Sequence, residues 1–247
     1  EELNIYIMTM DLKTEEQSFR AVSDETVGFF DKRVKRENPE NSVVKINAGA
    51  LFQAELPEAN MATRFTPYCM LRLFADEIPE LPDRLLYLDA DVICRQDCGE
   101  FYHQDISGCE LAGILDYYGK WFFRRNLFRM DYINSGVLLL NMERIREGGL
   151  FRRCRKLCKE KRMFMPDQSA INRLAKKKHI WPEKYNEQRR LREDTVLQHF
   201  TTSFRFFPWL HTLTVKPWQV DRMHEKLRLH EYDDILAEYQ ILKKEIL

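Results

Sequence analysis

Asp89, Ala90 and Asp91 interrupt an apolar run, RLLYLDADVIC (residues 84–94), with two carboxylates one residue apart. In an extended chain residues i and i+2 face the same side, so both acids converge on one point if the strand continues through them. If the strand unwinds there, they sit at its C-terminal edge, where open α/β sheets bind ligands. Two like charges this close are costly unless a cation neutralises them. A hard divalent ion with oxygen ligands, Mg²⁺ or Mn²⁺, is the natural occupant. A solvated turn is the plainer reading of an Asp pair. Against it, Leu85 to Leu88 before the acids and Val92-Ile93 after them place the pair inside the sheet.

The elements that must position such a pair are legible as alternating strands and helices. LNIYIMTM (3–10) and SVVKINA (42–48) read as strands, with residues 14–38 between them at helical spacing. Thr14 is the expected N-cap of that helix and Gln17 its capping-box partner. Residues 67–74 turn helical and stop at IPELPD; ELAGILD (110–116) is a strand, and DYINSGVLLLNMERIREGG (131–149) is a strand running into a helix that closes on two glycines. This order predicts an α/β sandwich with a mostly parallel central sheet flanked by helices. No repeat or linker divides it, so residues 1–218 are expected to form a single domain. Residues 219–247 are expected to be an amphipathic helical tail, packed on the body or on a partner.

The bulk numbers bound the function. Of 247 residues, 39 are Lys or Arg and 39 are Asp or Glu, and this balance argues against a nucleic-acid binder. No apolar stretch approaches the roughly 20 residues of a membrane-spanning helix. A cytoplasmic protein is expected, with peripheral contact at the inner face of the plasma membrane as an option. Six cysteines include the pairs Cys94/Cys98 and Cys154/Cys158, but no second half-site completes a structural zinc pattern. Reduced thiols are expected.

Two chemistries use paired aspartates of this kind. In one, a metal bridges the diphosphate of a nucleotide-sugar; in the other, a phosphohydrolase, the first Asp attacks phosphorus. The phosphohydrolase pattern fits poorly, with Ile93 at its fifth position and the pair a third of the way along the chain. Parts of a sugar-transfer site follow instead: DYINSGVLLLN, then PDQSAIN (166–172), VLQHF (196–200) and VKPW (215–218), with Arg72 ahead of the aspartates. In this order the segments resemble those of glycosyltransferase family 8, which includes bacterial lipopolysaccharide galactosyl- and glucosyltransferases and glycogenin.

The resemblance implies a GT-A fold, Mn²⁺ (or Mg²⁺), and retaining transfer of a hexose from UDP-galactose or UDP-glucose. An oligosaccharide, lipid-linked glycan or glycoprotein would accept it. Carried over, Asp89, Asp91 and His199 would ligate the metal. Arg72, Asp89, Ala90, Asp91, Asn134, Gly136 and Lys216 would bind the donor, with Lys216 on the diphosphate. Asp116 would line the sugar and acceptor pocket. Asp167 and Gln168 would lie beside the anomeric carbon, stabilising an oxocarbenium-like state; front-face attack by the acceptor is favoured in the family.

LNIYIMTMDLKTEE resembles the family's second strand, so its first strand is expected to precede residue 1, leaving uridine binding open. An aromatic segment, TTSFRFFPWLHTLTV, separates His199 from Lys216 and reads as a lid or as a packing hairpin. GKWFFRRNLFRMD (119–131) reads as an acceptor or membrane-surface loop or a core helix, and the basic run RRCRKLCKEKR (152–162) as a solvated helix face. A phosphohydrolase and a non-catalytic sugar- or nucleotide-binding protein are the rival readings.

Overall fold

Ser23 and Asp24, at the start of the first long helix, show how local chemistry sets the first crossover. In the computed structural model, which describes residues 2–14, 18–63, 66–122, 131–205, 209 and 211–246, Ser23 caps helix α1 (Asp24–Glu37) by accepting from the Thr26 N–H at 3.1 Å. Acids occupy the first turn of α1 and Lys35 and Arg36 the last, complementing the helix dipole. The helix joins strands β1 (Asn4–Thr9) and β2 (Ser42–Asn47), which pair in parallel from Asn4–Ser42 to Thr9–Asn47. The expected cap at Thr14 is corrected: Leu12–Lys13 and Ser18–Phe19 pair antiparallel first, so the helix cannot begin until that hairpin ends. Gln17 lies outside the described residues.

The chain forms two compact units, each assembled from two segments. The first comprises residues 1–83 and 142–175 and contains β1, α1 and β2. A 3₁₀ helix, Pro67–Glu77, has proline in its first turn, where the missing N–H costs nothing. Helices α2 (Met142–Gly148) and α3 (Leu150–Glu160) meet at Gly149, whose φ of 58° is the left-handed turn glycine favours. Helix α4 (Pro166–Leu174) again opens on proline. The basic run on α3 is not wholly solvated. Helical period places Phe151, Cys154, Arg155 and Cys158 on the inner face, and Arg155 is 3% exposed. Its guanidinium bonds Glu55, Asp76 and Glu77 and the Leu73 carbonyl, and it lies 5.0 Å from the Phe74 ring centre.

The second unit comprises residues 84–141 and 176–247. Strands β3 (Arg84–Leu88), β5 (Leu111–Leu115), β6 (Ile133–Asn141) and β7 (Lys178–Trp181) form a sheet of order β3-β6-β5-β7. β6 is buried over Ile133 to Leu140; its apolar run Val137–Leu140 suits a central strand, and the polar Asn134 and Ser135 are buried with it. The sheet is mixed rather than mostly parallel. β6 runs antiparallel to both β3 and β5, and within the sheet only the β5–β7 pair is parallel. Of the two readings of residues 84–94, the unwound one holds: β3 stops at Leu88, and β4 (Val92–Cys94) pairs elsewhere, antiparallel to β8 (Leu197–His199). The aspartates occupy the turn between them.

Beyond β8, strands β9 (Ser203–Arg205) and β10 (His211–Leu213) pair antiparallel, so the segment between His199 and Lys216 is a hairpin; residues 206–208 and 210 at its tip lie outside the described residues. So does most of the aromatic segment ahead of Asp131, residues 123–130. The C-terminal segment, with helix α5 (Asp233–Ile246), packs on the body of its own unit: Met223, Tyr232 and Leu236 are buried against Phe200 and Val215. No helix among the described residues is long and apolar enough to cross a membrane.

Candidate functional site

The turn after β3 delivers both aspartates to one histidine. The Asp89 N–H donates to the Gly136 carbonyl at 2.8 Å, which closes the β3–β6 ladder, and the Val92 N–H donates back to the Asp89 carbonyl at 3.2 Å. Ala90 is exposed at the tip of this turn, whereas Asp91 is 9% exposed. On the partner strand, His199 pairs with Val92, and the Phe200 N–H donates to the Asp91 carbonyl at 3.0 Å. The His199 Nε2 atom then lies 3.2 Å from Asp91 Oδ1 and 3.6 Å from Asp89 Oδ2. One ligand atom from each of the three side chains lies within 4.8 Å of the others.

The far side of the imidazole is fixed by amides. His199 Nδ1 lies 3.1 Å from Asn134 Oδ1 and 3.2 Å from Asn186 Oδ1. Two acceptor oxygens there favour a proton on Nδ1, which turns the Nε2 lone pair toward the carboxylates. Three electron-rich atoms facing one point is an arrangement a cation relieves, and a second-side hydrogen bond of this kind is what orients metal-bound histidines. The donor set, two carboxylates and a neutral imidazole, fits a divalent ion such as Mn²⁺.

Gly136 is required by this packing. A Cβ built on it would sit 2.1 Å from His199 Cε1 and 2.8 Å from Asp89 Oδ2, so any side chain would displace the ring or the acid. The resemblance assigns Gly136 to the donor; in the structure its backbone is closely approached by His199 and Asp89. Asn134 extends the network: its amide nitrogen donates to Asp116 Oδ2 at 3.0 Å, and its oxygen accepts from the Gly136 N–H and from Asn186 Nδ2. Asp116 in turn accepts from the Tyr118 and Gly119 N–H groups with its other oxygen.

Lys216 reaches the same place. The β9–β10 hairpin returns the chain, and the Lys216 ammonium donates to Asp91 Oδ2 and, at 3.2 Å, to the Phe200 carbonyl. Burial works to raise the Asp91 carboxyl, but the His199 ring, in the form that carries a proton on Nε2, and the Lys216 ammonium outweigh it and hold the acid well below the usual carboxylate range; a bound metal would take the place of that proton. Beside His199 a cavity of about 360 Å³ opens between Tyr118, Gln188, Arg189, Arg190 and Ser203, within the range of small-molecule sites.

The remaining carried-over residues belong to the first unit. Arg72, 3% exposed on the 3₁₀ helix, pairs with Asp167 at 3.2 Å, and Gln168 is buried next to it on α4. Sequence reasoning missed two residues of the trio's surroundings. Tyr87 donates to Asp89 Oδ1 at 2.7 Å, a contact the i, i+2 rule could have suggested. Asn186 carried no such signal; it reaches His199 because the Glu187 backbone zips onto β8, its N–H donating to Leu197 and its carbonyl accepting from His199.

The family model of glycosyl transferase family 8 matches residues 1–221. The chain belongs to glycosyl transferase family 8. Among curated relatives, it is 28% identical over 173 residues to a lipopolysaccharide 1,2-glucosyltransferase of Escherichia coli K12, a match covering 59% of this chain and 50% of that protein. The glycosyltransferase GlyF of Streptococcus pneumoniae is 29% identical over 118 residues, 47% of this chain and 26% of that one. The chain thus spans half or less of the length of these relatives. The crystal structure of GlyE from S. pneumoniae superposes with a TM-score of 0.58 at 17% identity, covering 99% of this chain and 57% of that one. A galactosyltransferase, LgtC, solved with donor and acceptor sugar analogues, superposes at 0.57 and 16% identity over 96% of both chains. At such identities the likeness establishes the fold, which is GT-A. Family membership also removes the support for an Asp-nucleophile phosphohydrolase.

Proposed function

We propose that this family 8 chain is a retaining hexosyltransferase domain that moves galactose or glucose from a UDP-sugar to a glycan acceptor, using Mn²⁺ held by Asp89, Asp91 and His199. The observation that carries the reading is the convergence of two carboxylates and the Nε2 of a histidine whose Nδ1 side faces two asparagine oxygens. When bound, the ion would supply Lewis-acid stabilisation of the departing diphosphate, worth several kcal/mol of barrier. Lys216 adds an ammonium on the same side, where it opposes the negative charge that builds on UDP. Asn134 and Asn186 hold the imidazole in register, and Asp116 holds Asn134.

Asp167 and Gln168 open α4 in the other unit, and Arg72 holds Asp167 by a buried ion pair. We assign Asp167 and Gln168 to the oxocarbenium-like state at the anomeric carbon and Arg72 to the donor. The lipopolysaccharide relative supports a bacterial surface glycan as acceptor. The test is UDP release from UDP-galactose and UDP-glucose with and without Mn²⁺. Mn²⁺-dependent release that Asp89→Asn abolishes is expected, with the product anomer retained by NMR. Mn²⁺-dependent nucleotide binding with no release from either donor would favour a binding protein that kept the fold.

A further inference from the structure

Among the described residues a second group of side chains converges as the trio does, and no part of the sugar-transfer reading uses it: His224, His230 and Asp233, with one ligand atom of each within 4.8 Å of the others. His224 lies in a π-helical turn, Met223–Leu227. The chain then reverses through Arg228, whose φ of 55° makes it the sole non-glycine residue with positive φ among those described. That reversal brings the His230 ring over the His224 ring, with centres 4.3 Å apart and planes at 23°. Asp233 opens α5 and spreads its carboxylate across both, Oδ1 at 2.7 Å from His224 Nε2 and Oδ2 at 3.4 Å from His230 Nδ1.

We propose that His224, His230 and Asp233 form a second metal site, for a borderline transition-metal ion of the Zn²⁺ class, that clamps the C-terminal segment to the body of its unit. A tetrahedral ion bound at about 2.0–2.1 Å sets its ligand atoms about 3.3 Å apart; the carboxylate–imidazole separations of 2.7 and 3.4 Å lie on either side of that, and the two exposed rings would turn out of their stack to aim both nitrogens at one ion. Two imidazoles with one carboxylate select Zn²⁺ over Mg²⁺ or Ca²⁺, which prefer oxygen throughout. All three side chains reach solvent, at 32%, 62% and 51% exposure, which leaves an entry path and a fourth position for water.

The structural consequence lies in what flanks the ligands. Met223 and Tyr232, each adjacent in sequence to a ligand, and Leu236, one turn beyond Asp233, are buried against Phe200 and Val215, the neighbours of His199 and Lys216. Tyr232 also donates from its hydroxyl to Gln198 on β8. An ion that ties the turn to the start of α5 therefore holds together the layer backing the strand that carries His199, and its binding stabilises the folded state by mass action.

The test is a zinc count on the full chain after removal of metal by a chelator, using equilibrium dialysis against Zn²⁺. Zn²⁺ also suits the Asp89-Asp91-His199 trio, so wild type is expected to take up two equivalents, His230→Gln one, His199→Gln one, and the double variant none. A melting experiment gives a second readout: Zn²⁺ should raise the Tm of His199→Gln, in which only the proposed site remains, and leave that of the double variant unchanged. No zinc bound by His199→Gln, two equivalents retained in His230→Gln, or no rise in Tm for His199→Gln would each overturn the site. The three side chains would then be a hydrogen-bonded helix cap and nothing more. His230 is largely exposed, so its replacement spares the packing, and the His199→Gln count decides even without it.

Discussion

Two charged clusters, one in each unit, use similar residues to opposite ends. Around Arg155 in the first unit, guanidinium donors meet Glu55, Asp76, Glu77 and a carbonyl, so the charge is enclosed by its own partners. Around His199 in the second, Asp89, Asp91 and the histidine point electron-rich atoms at one another, with Lys216 as the cation among them. The acids record the difference. Burial raises the Asp76 carboxyl even against Arg155, whereas at Asp91 burial is outweighed by Lys216 and by His199 in its Nε2-protonated, metal-free form, and the carboxyl is lowered. A structural charge cluster closes on itself; a binding one keeps its ligand atoms converging on a point that belongs to something else.

The sharpest way to break this contrast is to remove one charge from each cluster. Asp91→Asn should lower UDP-sugar turnover by about a thousandfold, the equivalent of several kcal/mol of barrier, while circular dichroism shows an intact fold. Arg155→Met should do the reverse. Removing the cation from a buried cluster costs about 3–5 kcal/mol, read as a lower urea midpoint, and Mn²⁺ affinity should be unchanged. A loss of Mn²⁺ affinity in that variant would erase the distinction.

Smaller effects probe what holds the histidine. Asn186→Ala takes one of two oxygens from Nδ1 and should weaken Mn²⁺ binding by about 10–100-fold in calorimetry. Acid titration of the chelator-treated protein reads Asp91 directly. Its folded pKa is depressed, so the stability it contributes is present above the ordinary value of 3.8 and is lost as pH falls below it. Asp91→Asn should flatten that acid limb. Tyr87→Phe, which removes a single hydrogen bond to Asp89, should cost about 1 kcal/mol or less, a few-fold in Mn²⁺ affinity.

How much of this was legible in the sequence follows from distance along the chain. Asp89 and Asp91 stood out because an apolar run frames them, and local pattern sufficed; whether the strand runs through them or stops before them stayed open, because β4 leaves for a partner over a hundred residues away. His199 is an ordinary residue at a strand end, and the family resemblance singled it out. The GT-A fold came from the order of several weak segments. Arg155 was misread because a basic run looks solvated until its helical period is set against Glu55 and Asp76, which are about 100 and 79 positions away. The helix expected from Thr14 failed for a local reason, the small hairpin that precedes Ser23. Asn186 lies in a loop, where neither period nor composition marks a function.

The central claim is that the paired aspartates and His199 share one ion. Anomalous diffraction from crystals grown with Mn²⁺ and UDP tests it most directly. The account predicts a manganese peak within bonding distance of Asp89, Asp91 and His199 Nε2, with the imidazole Nδ1 still turned to Asn134 and Asn186. Ordered UDP with no manganese at these three side chains would contradict it.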